Sequence, residues 1–142
     1  MTIVNFPEEI NGIRVVQDED EVVKALANGE TVCRYEWGDS MFPILRNGEY
    51  ANLIPIKDIS EVKRGDAVFC RMPEGYCMTH QVWEISDSGY DGKPWFKIGS
   101  TMSTIFGWTQ EVLAIAKGTD HFQKFTREYR SWMKEKIWKN KS

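Results

Sequence analysis

A serine hydroxyl is a weak nucleophile at neutral pH and attacks a carbonyl only when a neighbouring base takes its proton; a neutral histidine, with a pKa near 7, suits that task. The sequence offers one pairing for this chemistry, Ser40 and His80, 40 residues apart. Ser40 stands in the run Gly38-Asp39-Ser40-Met41-Phe42-Pro43-Ile44-Leu45. Gly38 and Pro43 favour an exposed turn that presents a hydroxyl, and the backbone N–H groups around Ser40, that of Met41 included, are placed to stabilise a tetrahedral oxyanion. The reaction implied is acyl transfer: Ser40 attacks, His80 takes and returns the proton, and water releases the acyl group.

Other constellations carry less. Cys70, Cys77 and His80 form a C-x6-C-x2-H pattern that has neither a fourth ligand nor a short C-x2-C knuckle, so no metal and no other cofactor is expected. The three cysteines are odd in number, lie in apolar stretches and read as buried thiols. His121 reads as a surface or capping residue at the start of a tail helix. The glycines are scattered at turns and form no phosphate-binding loop.

Side chains 40 residues apart meet only if the fold returns one to the other, and the texture of the chain says how. From Thr31 onward, short runs rich in Val, Tyr, Phe, Trp and Ile are punctuated by Asn47-Gly48, Gly65-Asp66, Glu74-Gly75 and Asp91-Gly92. They predict strands over Thr31 to Trp37, Tyr50 to Pro55, Ala67 to Arg71, Tyr76 to Ile85, Trp95 to Ile98 and Glu111 to Lys117, a spacing that suits a mainly β sandwich or barrel. Asp18 to Leu26 predicts a short helix with an acidic first turn, stopped by Asn28-Gly29. No β-α-β rhythm and no internal repeat occurs. The 142 residues form one domain, with a core over about 31–118.

The tail reads differently. Asp120 is expected to cap a helix over about 120–140, in which Phe122, Phe125, Tyr129, Trp132, Met133 and Ile137 recur at three- and four-residue steps. From Asp120 onward the chain has seven Lys or Arg and three Asp or Glu, a net +4, which leaves −7 on the first 119 residues. An acidic body argues against specific nucleic-acid binding by the core. The basic helix face suits a protein, virion or membrane surface. Neither a secretory signal nor a run long enough to span a bilayer is found, so a cytoplasmic protein is expected.

Taken together, Gly38, Ser40, Met41, Pro43 and Leu45, then Gly65-Asp66, then His80 with Val82, resemble the signal peptidase and LexA-type serine peptidase superfamily. Histidine at position 80 is similar to the endoplasmic-reticulum and spore-former branch; the other branches use lysine. The resemblance runs with gaps from about Thr31 to Gly118. It implies coiled antiparallel sheets, with Ser40 as nucleophile and His80 as base. It also implies an aspartate that orients the histidine; this chain has Ser100 there, within Lys97-Ile98-Gly99-Ser100-Thr101-Met102, and no acid before Glu111. Ser100, Ser103 or a backbone carbonyl is expected to orient His80 in place of the acid; the alternative is a degenerate site. Asp39 is not expected to substitute, because side chains of adjacent residues diverge.

The departures narrow the expected role. The 39 residues before Ser40 contain no membrane-spanning stretch, and no Ala-Gly or Cys-Gly bond of the kind cleaved in LexA-type self-processing. The expectation is therefore a free-standing serine endopeptidase of a bacterium or its phage, acting in trans on a peptide or protein laid beside the Ser40 strand. The alternative is a catalytically silent peptidase-like domain that binds a partner through its basic C-terminal helix.

Overall fold

In a computed structural model, the described residues are 6–36, 38, 40–87 and 91–123. The elements run β1 (Glu9–Ile10), β2 (Ile13–Arg14), α1 (Glu19–Ala27), β3 (Val32–Tyr35), β4 (Glu49–Pro55), a 3-10 turn (Ile59–Glu61), β5 (Ala67–Arg71), β6 (Cys77–Ser86), β7 (Trp95–Gly99), β8 (Ile105–Thr109) and β9 (Glu111–Phe122). The first two strands pair with each other. The other seven form one sheet in the order β3-β4-β9-β5-β6-β7-β8, every neighbouring pair antiparallel. The protein is thus mainly β, as its strand-and-turn texture predicts.

Side chains alternate along a strand, so a strand buried on both faces reads as an unbroken apolar run. In β5, Ala67 and Phe69 join one core cluster with Val22, Leu26, Leu53 and Ala116. Its neighbours Val68 and Cys70 join a second cluster with Val82, Phe96 and Ile98. The first cluster also takes Met41 and Leu45, so the loop that carries Ser40 is rooted in the main core. Asp18 caps α1 by accepting from the Glu21 N–H, and the helix covers the β3–β4–β9 side of the sheet.

Two strand readings are corrected. β8 has no counterpart among the predicted strands, because Gly107 and the polar Ser100 to Thr104 stretch interrupt its apolar pattern. β9 runs through Asp120 and His121 to Phe122, where a helix start was expected. The chain keeps pairing there because Glu49, buried, accepts from the Asp120 N–H at 2.8 Å and the Arg46 N–H at 3.1 Å. The Arg46 guanidinium in turn reaches Asp120 at 2.5 Å. Asp120 has φ 64° and so cannot be the extended cap of a helix. His121 is an exposed strand residue whose ring meets Asn11. The remainder of the expected tail helix, with Phe125, Trp132 and Trp138, lies outside the described residues.

The clasp between Glu49 and Asp120 needs a glycine beside it. A Cβ at Gly118 would stand 2.5 Å from Glu49 Oε2, so no side chain fits while the carboxylate keeps its partners. Removing the carboxylate strands the Arg46 and Asp120 N–H groups. Glu49→Ala is expected to lower the unfolding free energy by about 2 kcal/mol, read by urea denaturation with unchanged m-value.

Candidate active site

Ser40 sits on the hairpin loop between β3 and β4. The base of that loop is closed by the backbone, Glu36 N–H to Glu49 O at 2.9 Å and Gly48 N–H to Glu36 O at 3.1 Å. Inside it, Asn47 Oδ1 accepts from the Gly38 N–H at 2.7 Å, and the Leu45 N–H closes one turn onto Met41 O at 2.9 Å. Met41 turns its side chain into the core. Its N–H donates to none of the described residues, which leaves a donor beside Ser40 for an oxyanion. Trp37 and Asp39 lie outside the described residues.

A second segment fastens the loop from outside. Thr101, in the turn between β7 and β8, donates its N–H to Ser40 O at 2.9 Å. Its hydroxyl lies 3.1 Å from Ser40 O and 2.6 Å from Phe42 O. Ser40 is thus held through its own carbonyl, which leaves its hydroxyl available for other partners. Sequence reasoning missed Thr101, since a threonine in a polar turn has no signature of its own.

His80 comes from β6, two strands away from β9 in the sheet, and its Nε2 lies 3.1 Å from Ser40 Oγ. The two residues singled out from the sequence therefore meet at hydrogen-bond distance. Cys77, three residues earlier on the same strand, packs instead in the main core. Burial alone pushes His80 down to about 4, from an ordinary value of 6.5. At neutral pH the ring is uncharged, as a general base must be. Its Nδ1 is buried and has no hydrogen-bond partner among the described residues.

Ser100 does not fill that vacancy. Its hydroxyl accepts from the Met102 and Thr104 N–H groups, each at 3.1 Å, and so stabilises the tight turn that carries Thr101. Its carbonyl accepts from Trp83 Nε1 at 3.0 Å. The orienting contact expected of it is not made, because a hydroxyl is too short to serve both the turn and the ring. Pairing of Gln81 with Gly99 nevertheless sets Ser100 across from His80, one residue before Gln81 on β6 and one after Gly99 on β7. Cross-strand neighbours have Cβ atoms about 5 Å apart, within reach of a carboxylate. Ser100→Asp is expected to raise the His80 pKa and speed acylation of Ser40 about tenfold. An NMR titration of the ring alongside probe kinetics checks both, and an unmoved pKa would show the new carboxylate spent on the turn.

The β7–β8 pairing slips by one residue between Ile98 and Gly99, so Phe106 stands as an extra residue opposite the ladder. Its ring lies 4.4 Å from that of His80, centroid to centroid, tilted by 48°. Phe106 is therefore one of the groups that keep water from the base. The close approach of the two strands also depends on Gly99, where a Cβ would meet Thr104 O at 2.7 Å and Trp83 Nε1 at 2.8 Å.

The cysteines stand apart from this chemistry. All three are buried and none is in a disulfide among the described residues. Burial raises Cys33 to about 11, Cys70 to about 12, and Cys77 above its ordinary value, so none is a thiolate at neutral pH. Among the described residues no cluster of three or more His, Cys, Asp or Glu could hold a metal, and no helix is long and apolar enough to cross a membrane. Comparison with protein-family models, curated proteins and solved structures gives no match.

Proposed function

We propose that this protein is a serine endopeptidase of the signal peptidase and LexA type, working through a Ser40–His80 dyad on a peptide or protein substrate. The observation that carries the reading is the 3.1 Å approach of Ser40 Oγ to a neutral, half-buried His80. It is supported by a loop whose Ser40 carbonyl is fixed by Thr101 and whose Met41 N–H donates to none of the described residues. In this mechanism Ser40 Oγ attacks the scissile carbonyl as its proton passes to His80 Nε2. The Met41 N–H faces the developing oxyanion. Collapse of the tetrahedral intermediate returns the proton to the leaving amine, and water repeats the sequence on the acyl-enzyme. The test is reaction of the purified protein with a serine-directed acylating probe, read by intact mass and peptide mapping. A single adduct on Ser40 supports the dyad, and a protein left unmodified between pH 6 and 9 argues against it.

One observation favours a second reading. Nδ1 has no hydrogen-bond partner among the described residues, so none of them holds His80 in the tautomer a base requires. In that reading the domain is a silent peptidase relative that binds a peptide, and the basic tail engages a protein, virion or membrane partner.

A further inference from the structure

Charged residues make up 27% of the chain, yet two of its uncharged stretches border the dyad. One is Ser40 to Leu45, between Asp39 and Arg46; the other is Ile98 to Gln110, between Lys97 and Glu111. The fold brings these two stretches together. Thr101 of the second bonds to the carbonyls of Ser40 and Phe42 in the first, and Phe106 of the second packs on His80. Both stretches also expose large apolar side chains where water would favour polar ones. Phe42 is 57% exposed and Met102 69%, with Ile44, Ile105 and Phe106 at 37–42%.

These side chains have no structural reason to be outside. The same loops bury Met41 and Leu45 in the core, so residues of this kind can be accommodated within. Phe42 follows the nucleophile by two residues, Met102 follows the Thr101 clamp by one, and Phe106 touches the base. Exposed apolar groups from two separate segments, gathered at a potential nucleophile, describe a recognition surface.

We infer that the dyad opens onto an uncharged apolar cleft that selects extended polypeptide segments with large aliphatic or aromatic side chains next to the scissile bond. The inference rests on the proposed peptidase reading for its purpose, but its binding step does not require catalysis. Phe42 and Met102 come from the two segments that Thr101 joins, and Phe106 packs on the base. A charged side chain entering between them would lose hydration and meet no charge from either stretch, whereas a leucine or phenylalanine would bury surface that is now wet. The bulge at Phe106 interrupts the ladder at the sheet edge, so selection comes from side chains more than from added strand pairing.

The test uses the full chain with Ser40→Ala, so that binding is read without turnover. Soluble capped peptides of one parent sequence, with Leu, Phe, Asp or Lys at a single central position, are titrated by NMR. The Leu and Phe peptides are expected to bind at least about tenfold more tightly than the Asp and Lys peptides. Phe106→Ser and Phe42→Ser should each remove most of that difference while the thermal transition stays cooperative. Equal affinity across the panel, or a preference untouched by both substitutions, would overturn the inference. So would uptake by zwitterionic lipid vesicles with no peptide binding, which would make the surface a membrane contact. Failure of the dyad itself would appear separately, as absence of the Ser40 adduct in the native chain.

Discussion

Ser40→Ala is expected to abolish labelling by a serine-directed probe, and His80→Ala to slow it by about 10³-fold. The first effect is absolute because the atom that forms the bond is gone. The second is large because an alkoxide does not form at neutral pH without an acceptor, and Nε2 at 3.1 Å is the acceptor present. The loss should be smaller than in a complete triad, since no acid among the described residues bonds to Nδ1 to stabilise the imidazolium that forms as the proton arrives. Both rates are read by intact mass over time, with circular dichroism to show that the fold persists. Labelling of His80→Ala at the native rate would mean that Ser40 reacts without this base.

The second large effect concerns pH. His80 is held neutral by burial, at about 4 against 6.5 when exposed. Between those values the unfolded chain binds a proton that the folded chain excludes, so stability rises with pH across the window and is lost as pH falls from 6.5 towards 4. The full contribution is about 3 kcal/mol. Urea unfolding at pH 7 and pH 4.5 should reveal most of it, and His80→Phe, which has nothing to titrate, should flatten that part of the profile. The acylation rate follows a different rule, because only the folded state reacts. It should stay level from pH 9 down to about 5 and fall below the folded pKa of about 4. A rate that halves near pH 6.5 would show water reaching the ring.

How much of this was legible beforehand depends on whether a feature is local. The turn around Ser40 and the strand of His80 are marked by Gly38, Pro43 and a run of apolar residues, and the two side chains meet in the fold. β5 was readable because both of its faces are buried. Ser100 misled because its position across from His80 depends on strand register, while the use of its hydroxyl depends on the tightness of a turn. Asp120 misled for a similar reason. Its sequence neighbourhood suits a helix cap, but the buried carboxylate of Glu49, 71 residues earlier, takes its N–H. Phe106 was invisible as a neighbour of the base, since a one-residue slip between β7 and β8 creates that contact.

The slip has a further consequence for how copies of this protein live beside one another. β8 closes one end of the seven-stranded order and presents Ile105, Phe106 and Trp108 outward. A flat strand with those side chains would be a template on which other chains could stack. The extra residue breaks the template in the middle, so the feature that dries the base also discourages polymerisation. Deleting Phe106 would regularise the ladder and leave a protein prone to self-association, so that the loss of the bulge would first be noticed as turbidity in the tube.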